Sequence, residues 1–276
     1  MAEDLFPSPH PLTPPHHEEE RLIWLRLLRS RRVGPATFFR LLKEHGTAEQ
    51  ALRALPDVAR SAGVRDYEPC PRKVVSSEME AGKLAGARLI AIGEPDYPAL
   101  LGKLDDAPPL IWTLGDTALL SKPMIAMVGA RNASSLGTRM SRRLAAGLTE
   151  AGFVVVSGLA RGIDAAAHIA AKDGGTVAVM AGGVDVFYPS ENAVLAQEIS
   201  ETGLLLSEQP MGLRPQARHF PQRNRIISGL CQAVVVVEAA ARSGSLITAR
   251  CALDQGREVL AVPGHPFDAA LGGAIC

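Results

Sequence analysis

Arginines set beside glycines, serines and one phenylalanine are the residues of this chain best suited to chemistry, and that chemistry is the capture of phosphate. Gly129-Ala-Arg131 follows one apolar run, with Ser134 just beyond it. Ser157-Gly158 closes the next run, Ala181-Gly-Gly183 the third, and Ser243-Gly-Ser245 follows a later one. Arg218-His-Phe-Pro-Gln-Arg-Asn-Arg225 is a basic octamer without an acid, placing Arg218, Arg223, Asn224 and Arg225 around Phe220, its only aromatic. Guanidinium forks match phosphate oxygens in pairs. Helix-start N–H groups attract anions, and a ring among cations suits stacking of an unpaired base. Phe220 could equally anchor a helix over Asn224–Leu230, and the sequence leaves both uses open.

The glycine-started loop after Val128 is neither GxGxxG, because Arg131 stands where the second glycine would be, nor a Walker A loop, which needs GKS or GKT. An arginine there blocks close approach of a pyrophosphate and serves as a direct phosphate ligand. Asp164 follows Gly162-Ile163 at a helix start, where a carboxylate favours the helix dipole. His168 lies four residues on, a spacing expected to be structural rather than acid–base machinery. Asp185 and Tyr188 could shape a pocket wall beside the glycine pair.

What must position these residues is a sheet. Met124–Val128, Phe153–Val156, Thr176–Met180, Ala233–Val237 and Glu258–Val262 are short apolar runs, each followed by a turn and separated by Ala-rich, helix-like stretches. Such runs read as parallel strands buried on both faces. In sheets of that kind ligands bind outside the carboxyl ends of the strands, where these loops gather.

Length and composition set the frame. The 276 residues are 47% hydrophobic and 21% charged, enough for a core and against general disorder, and the formal net charge is 0. A polyanion site must therefore come from clustering. Thr117–Thr149 carries Lys122, Arg131, Arg139, Arg142 and Arg143 without an acid, and Gln209–Val237 carries Arg214, Arg218, Arg223 and Arg225, again without one. Cys70, Cys231, Cys251 and Cys276 show no CxxC or metal spacing, so neither metal nor cofactor is expected. No run reaches the roughly 18 apolar residues of a membrane span, and the expectation is a soluble, cytoplasmic protein.

The N-terminal third reads differently. Residues 1–17 are Pro- and His-rich, expected to be unstructured, and 18–66 form a small helical domain. One amphipathic helix begins around Leu22–Leu28, a second follows Val33-Gly-Pro35, and a third spans Ala48–Leu55 ahead of Pro56. Helix–glycine turn–helix can grip a nucleic-acid backbone; with one glycine and little basic charge beyond Lys43, packing is the preferred reading. A linker over 67–77 precedes a large domain from 78 to 276, with a helix over Glu78–Ala87, a strand over Arg88–Ile92 and an edge strand at Leu110–Leu114.

Taken in order, GAR, SGLARGIDAAAH, AGGVDVFYPSEN, HFPQRNRIISGL, EAAARSGSLITA and GREVLAVPG resemble the DNA-processing protein A family (DprA, also called Smf). The match covers roughly Tyr97 to Pro266, and the N-terminal helices resemble that family's SAM-like helical domain more loosely. The resemblance implies an α/β fold of extended Rossmann-like type, with helices on both faces of a mainly parallel sheet behind a small all-α domain. It also implies binding of single-stranded DNA, homodimerisation, no catalysis, and delivery of the strand to RecA recombinase in natural transformation. Carried over by position, Arg131 would contact phosphate, Ser157 and Gly158 would form the second-strand turn, and Phe220 with Arg223-Asn224-Arg225 the basic aromatic segment. Arg218 would supply a further cation. After Pro263-Gly-His-Pro266 the family pattern continues with an Asn-bearing segment and a closing helix, whereas this sequence runs Phe267–Cys276, so a C-terminal end cut short is expected.

A second class of function is a phosphoribohydrolase-like enzyme on a related fold. Its PGGxGTxxE motif needs a glutamate that AGGVDVFYP does not supply.

Overall fold

The computed structural model describes residues 13–240 and 243–263. Its N-terminal part is helical for reasons written at the helix ends. Helix α1 (Glu18–Arg29) starts on three glutamates and finishes with Arg26 and Arg29, each charge opposing the dipole at its end. Helix α2 (Pro35–His45) has proline at its first position and stops at Gly46, whose φ is 80°. Thr47 caps α3 (Ala48–Ser61) by accepting the Gln50 N–H. Trp24, Phe38 and Phe39 pack edge to face, with centroids 5.2 and 5.6 Å apart.

Three N-terminal expectations are corrected. Helix α3 does not stop before Pro56; it runs on to Ser61, because Ala51, Leu52, Leu55 and Ala59 keep one face buried, which outweighs the lost backbone donor. Residues 72–77, expected in the linker, form the first turns of α4 (Arg72–Leu84), which ends before the Ala87 anticipated for a helix starting at Glu78. Val75, Glu78, Met79 and Gly82 are buried on this helix, and a Cβ at Gly82 would stand 2.4 Å from the Trp112 indole. Residues 1–12 of the expected unstructured tail lie outside the described residues. The rest of that tail is placed: Pro15 is buried, and the His16 N–H reaches Glu20 at 2.7 Å.

Beyond α4 the chain builds an eight-stranded sheet in the order β1-β2-β6-β5-β4-β3-β7-β8. The strands are β1 (Arg88–Ala91), β2 (Leu110–Gly115), β3 (Met124–Gly129), β4 (Val154–Ser157), β5 (Thr176–Val179), β6 (Leu204–Ser207), β7 (Ala233–Glu238) and β8 (Glu258–Ala261). The β1–β2 and β2–β6 pairs are antiparallel, and the remaining pairs are parallel. β2, expected at the edge, lies inside, because β1 covers it on one side and β6 pairs with it on the other. β6 was not anticipated: its leucines carry no β-branched signal, although Leu204, Leu205 and Leu206 are wholly buried.

Strand order reverses at β3, which pairs with both β4 and β7. Alternation along these strands sorts the helices into two layers. Ile125, Met127, Val155 and Val235 share a cluster with Ala145 of α5 (Ser135–Glu150) and Ala167 of α6 (Ile163–Ala171). Ala126, Val128, Val156 and Val234 instead join Ile226 and Ile227 of α8 (His219–Leu230) and Ala249 of α9 (Gly244–Asp254). Helix α7 (Ala193–Thr202) links β5 to β6. The loops of both layers meet over β3, at the topological switch point where open α/β sheets bind ligands. The expected C-terminal irregularity, over residues 264–276, lies outside the described residues.

Candidate nucleic-acid interface

A crevice of about 670 Å³ opens at the carboxyl ends of β3 and β7 and the loop after β4. Arg131, Asn132, Asp164, Phe220, Arg223, Asn224 and the Ser243–Ser245 turn line it. Elsewhere a hollow of about 690 Å³ beside Trp112 also holds cations, but Arg21, Lys83 and Arg88 are there paired with Glu94, Glu18 and Asp96. The crevice is different: among the described residues Arg131 has no ion pair, and it is exposed.

The octamer 218–225 is mostly helix rather than loop. Helix α8 starts at His219, and Pro221 is tolerated because the first-turn N–H groups have no intrahelical partner. Helical spacing then decides which side chains enter the crevice. Phe220, Arg223, Asn224 and Ile227 stand three and four residues apart on one face and all line it. Arg225 lies two residues from Arg223, about 200° around the helix. It points away, with Nη2 donating to Glu208 Oε2 at 2.6 Å and Nε 3.2 Å from Asp106. The expectation that Arg225 meets DNA phosphate is corrected on that ground.

Arg131 and Arg223 do converge. Their guanidinium carbons lie 5.4 and 5.9 Å from the centroid of Phe220, and Tyr188 flanks the ring at 5.9 Å. The two cations have unlike jobs. Arg223 is 6% exposed, and its Nη1 donates to Gly158 O and Val179 O, both at 2.6 Å, tying the ends of β4 and β5 to α8. Burial lowers its pKa to about 10, against which the charge of Asp164 pulls upward and Arg131 pushes further down. It stays a cation at neutral pH, but its hydrogen bonds are spent on the fold.

Most of the remaining site residues shape the crevice. A Cβ at Gly158 would stand 2.3 Å from Arg223 Nη1, which is why only glycine fits. Gly158 and Ala160 donate their N–H groups to Asp164 Oδ2 at 3.1 and 3.3 Å. Asp164 therefore clasps its own loop; burial raises its pKa while Arg223 and those amides pull it back. Ser157 is buried, its hydroxyl donating to Met127 O at 2.5 Å, so the expected phosphate donor is a cross-strand latch. A Cβ at Gly129 would lie 2.5 Å from Ile163 Cγ1, so this glycine serves close packing of strand against helix. Arg218 is exposed beside the crevice, its Nε 3.3 Å from His219 Nε2. Asn224 is buried and donates to Gly244 O at 3.2 Å.

The N-terminus of α5, expected to hold phosphate, is already filled. Ser134 N donates to both Glu238 oxygens at 3.2 and 3.1 Å, and the Ser134 hydroxyl donates to Glu238 Oε2 at 2.8 Å while capping Gly137 N. Glu238 is the residue the sequence reading missed; a carboxylate ending a strand, one strand over from an N-cap serine, is the signal that could have found it. The Gly182-Gly183 pair is likewise used internally: Cβ atoms there would fall 2.4 Å from Leu213 O and 2.6 Å from Pro210 O. Asp185, rather than lining a pocket, accepts the Gly212 N–H at 2.8 Å. His168 makes no pair with Asp164; its Nδ1 meets Thr176 Oγ1 at 2.7 Å, and burial, with the Arg223 charge adding to it, lowers its pKa to about 3.

Among the described residues no helix is long and apolar enough to cross a membrane.

With this geometry in place, comparison with known proteins is informative. The family model for DNA recombination-mediator protein A matches residues 88–275, and a DprA-like N-terminal HHH domain matches 18–81. The chain is 46% identical over 193 residues to the DNA processing protein DprA of Bacillus subtilis, covering 69% of this chain and 65% of that protein. It is 34% identical to protein Smf of Synechocystis over 90% of this chain and 65% of the relative. It thus spans a little under two thirds of the length of these curated relatives. The crystal structure of DprA from Streptococcus pneumoniae superposes with a TM-score of 0.76 at 36% identity, covering 91% of this chain and 90% of that one. A DprA structure from Helicobacter pylori, described for its single-stranded DNA binding mode, gives 0.61 at 29% identity over 66% and 82% of the two chains. The motif order, the sheet and the helical N-terminal part agree, and the chain belongs to the DNA recombination-mediator protein A (DprA) family.

Proposed function

We propose that the crevice binds single-stranded DNA without catalysis, protecting it in the cytoplasm and handing it to RecA recombinase during recombination or transformation, with the chain acting as a homodimer. The observation that carries the binding step is the group of Arg131, Phe220 and Arg223: an exposed, unpaired cation over a partly exposed ring, held up by a buried cation. Such a group offers charge to a phosphate and a flat apolar face to a base, and discriminates little between bases. A duplex keeps its bases stacked away from the ring, so single strands gain more. The hydrolase reading is disfavoured because Asp164, the acid lining the crevice, is committed to two backbone amides.

Binding of oligo-dT, compared with duplex and with dTMP, tests this. Single strands bind best, and the logarithm of affinity falls with that of salt at a slope of about −0.7 per phosphate contacted. Arg131→Ala weakens binding by about 1–2 kcal/mol across all sequences without shifting Tm. Unchanged affinity in that variant overturns the assignment. Sedimentation of the free chain and RecA filament growth on coated strands test the dimer and the hand-over.

A further inference from the structure

Of the two helices that follow β3 and β7, α5 and α9, only one has its positive end occupied. Glu238 lies across the first turn of α5, so close that a Cβ at Gly137 would stand 1.9 Å from Oε2. Among the described residues helix α9 has no such counter-charge. It has no acid in its first turn, its N-cap Ser243 makes no side-chain cap bond, and space beside Gly244 is open. Among the described residues the Gly244 and Ser245 N–H groups have no partner.

An open helix start alone is not a site, but a buried hydroxyl adds an independent observation. Thr248 is 2% exposed, lines the crevice one turn into α9, and its hydroxyl has no partner among the described residues. A helical threonine usually returns its proton to the carbonyl four residues back. Here that carbonyl, Gly244 O, accepts from Asn224 Nδ2 instead. Ser243 and Ser245 share a hydrogen bond between their hydroxyls at the same rim. Arg131 and Arg223 line the same crevice, and the nearby acids are committed, Asp164 to its loop and Glu238 to α5.

We propose that the start of α9 is the phosphate seat of the crevice: the Gly244 and Ser245 N–H groups and the Thr248 hydroxyl hold one phosphodiester of the bound strand, with Phe220 beneath a neighbouring base. This rests on the single-strand reading above and assigns to it a subsite at the Ser243-Gly-Ser245 turn, which the sequence places at the same sheet edge, completed by Thr248, which the sequence did not single out. A free phosphate has the same chemistry as a backbone one, and the test separates them.

The full chain, Ser243→Asp, Thr248→Val and Arg131→Ala are titrated with a dT oligonucleotide and with versions carrying one neutral methylphosphonate at successive linkages. Ser243→Asp, which supplies α9 with the carboxylate that Glu238 gives α5, lowers affinity about tenfold, and Thr248→Val about threefold, with Tm retained. One linkage whose neutralisation weakens the parent has no further effect in Ser243→Asp, yet still weakens Arg131→Ala. Parent-like affinity and an unchanged linkage profile in both α9 variants overturn the seat while leaving the single-strand reading intact. A parent that binds no oligonucleotide sinks that reading instead. Saturable protection by inorganic phosphate or dTMP, lost in Ser243→Asp, then still upholds the seat, and its absence overturns both.

Discussion

The two sides of helix α8 carry arginines of the same sequence motif to opposite ends. On the crevice side, Arg223 is buried, spends Nη1 on two carbonyls and has no salt-bridging carboxylate among the described residues, where exposed Arg131 nearby likewise has none. On the far side, Arg225 meets Glu208 and Asp106, in a cluster that extends through Arg29, which donates to Glu208 O and to both oxygens of Glu78. Glu78 also accepts the Trp112 indole N–H at 2.8 Å, linking α1, α4 and β2. One side leaves positive charge available to an outside anion; the other neutralises it to join helices to sheet. A count of basic residues in a motif therefore overstates its phosphate-binding capacity, because a waiting carboxylate decides which arginines remain free.

The sharpest way to break this contrast is Arg223→Ala. It strips the Gly158 and Val179 carbonyls of a charged donor in a buried setting and should cost about 3–4 kcal/mol of stability, read from the urea midpoint, with strand binding lost alongside. A loss under about 1 kcal/mol would show that Arg223 is not the strut described. Arg225→Leu comes next. Leaving Glu208 buried without its cation should cost about 2–3 kcal/mol, while oligo-dT affinity and its salt slope stay at parent values below the unfolding range. A salt slope shallower by about 0.7 would return Arg225 to the DNA-contacting set. At neutral pH the smallest effect is that of His168, whose folded pKa of about 3 lies below its ordinary 6.5. The unfolded chain then binds more protons between those values, so this residue's contribution to stability is lost as pH falls from about 6.5 towards 3. His168→Asn should flatten that limb of the Tm profile, and an unaltered limb would count against the buried neutral imidazole.

The parallel strands were readable because β3, β5 and β7 are short, almost wholly apolar runs rich in Ala and β-branched residues and bounded by turns, a pattern that double-sided burial imposes. β6 escaped because Leu204-Leu-Leu206 has the composition of a helix and becomes a strand only through its neighbours β5 and β2. The crevice was legible as a place, since glycines and arginines at strand ends converge there. Individual roles were not. Whether Arg225 faces the crevice depends on α8 starting at His219, five residues before Asn224, and whether Ser134 is free depends on Glu238, 104 residues away in the chain. Spacing along the chain carries the first kind of information poorly and the second hardly at all.

Glu238 has one more effect. A fixed negative group at one rim, opposite a bare helix start at the other, tilts the electric field across the opening. A flexible polyanion lying there is drawn off-centre, its sugar–phosphate chain to one wall, so that its flat apolar parts swing towards Phe220. On the proposed single-strand reading, such a field would sort backbone from base by polarity alone, with no need to recognise any letter of the message.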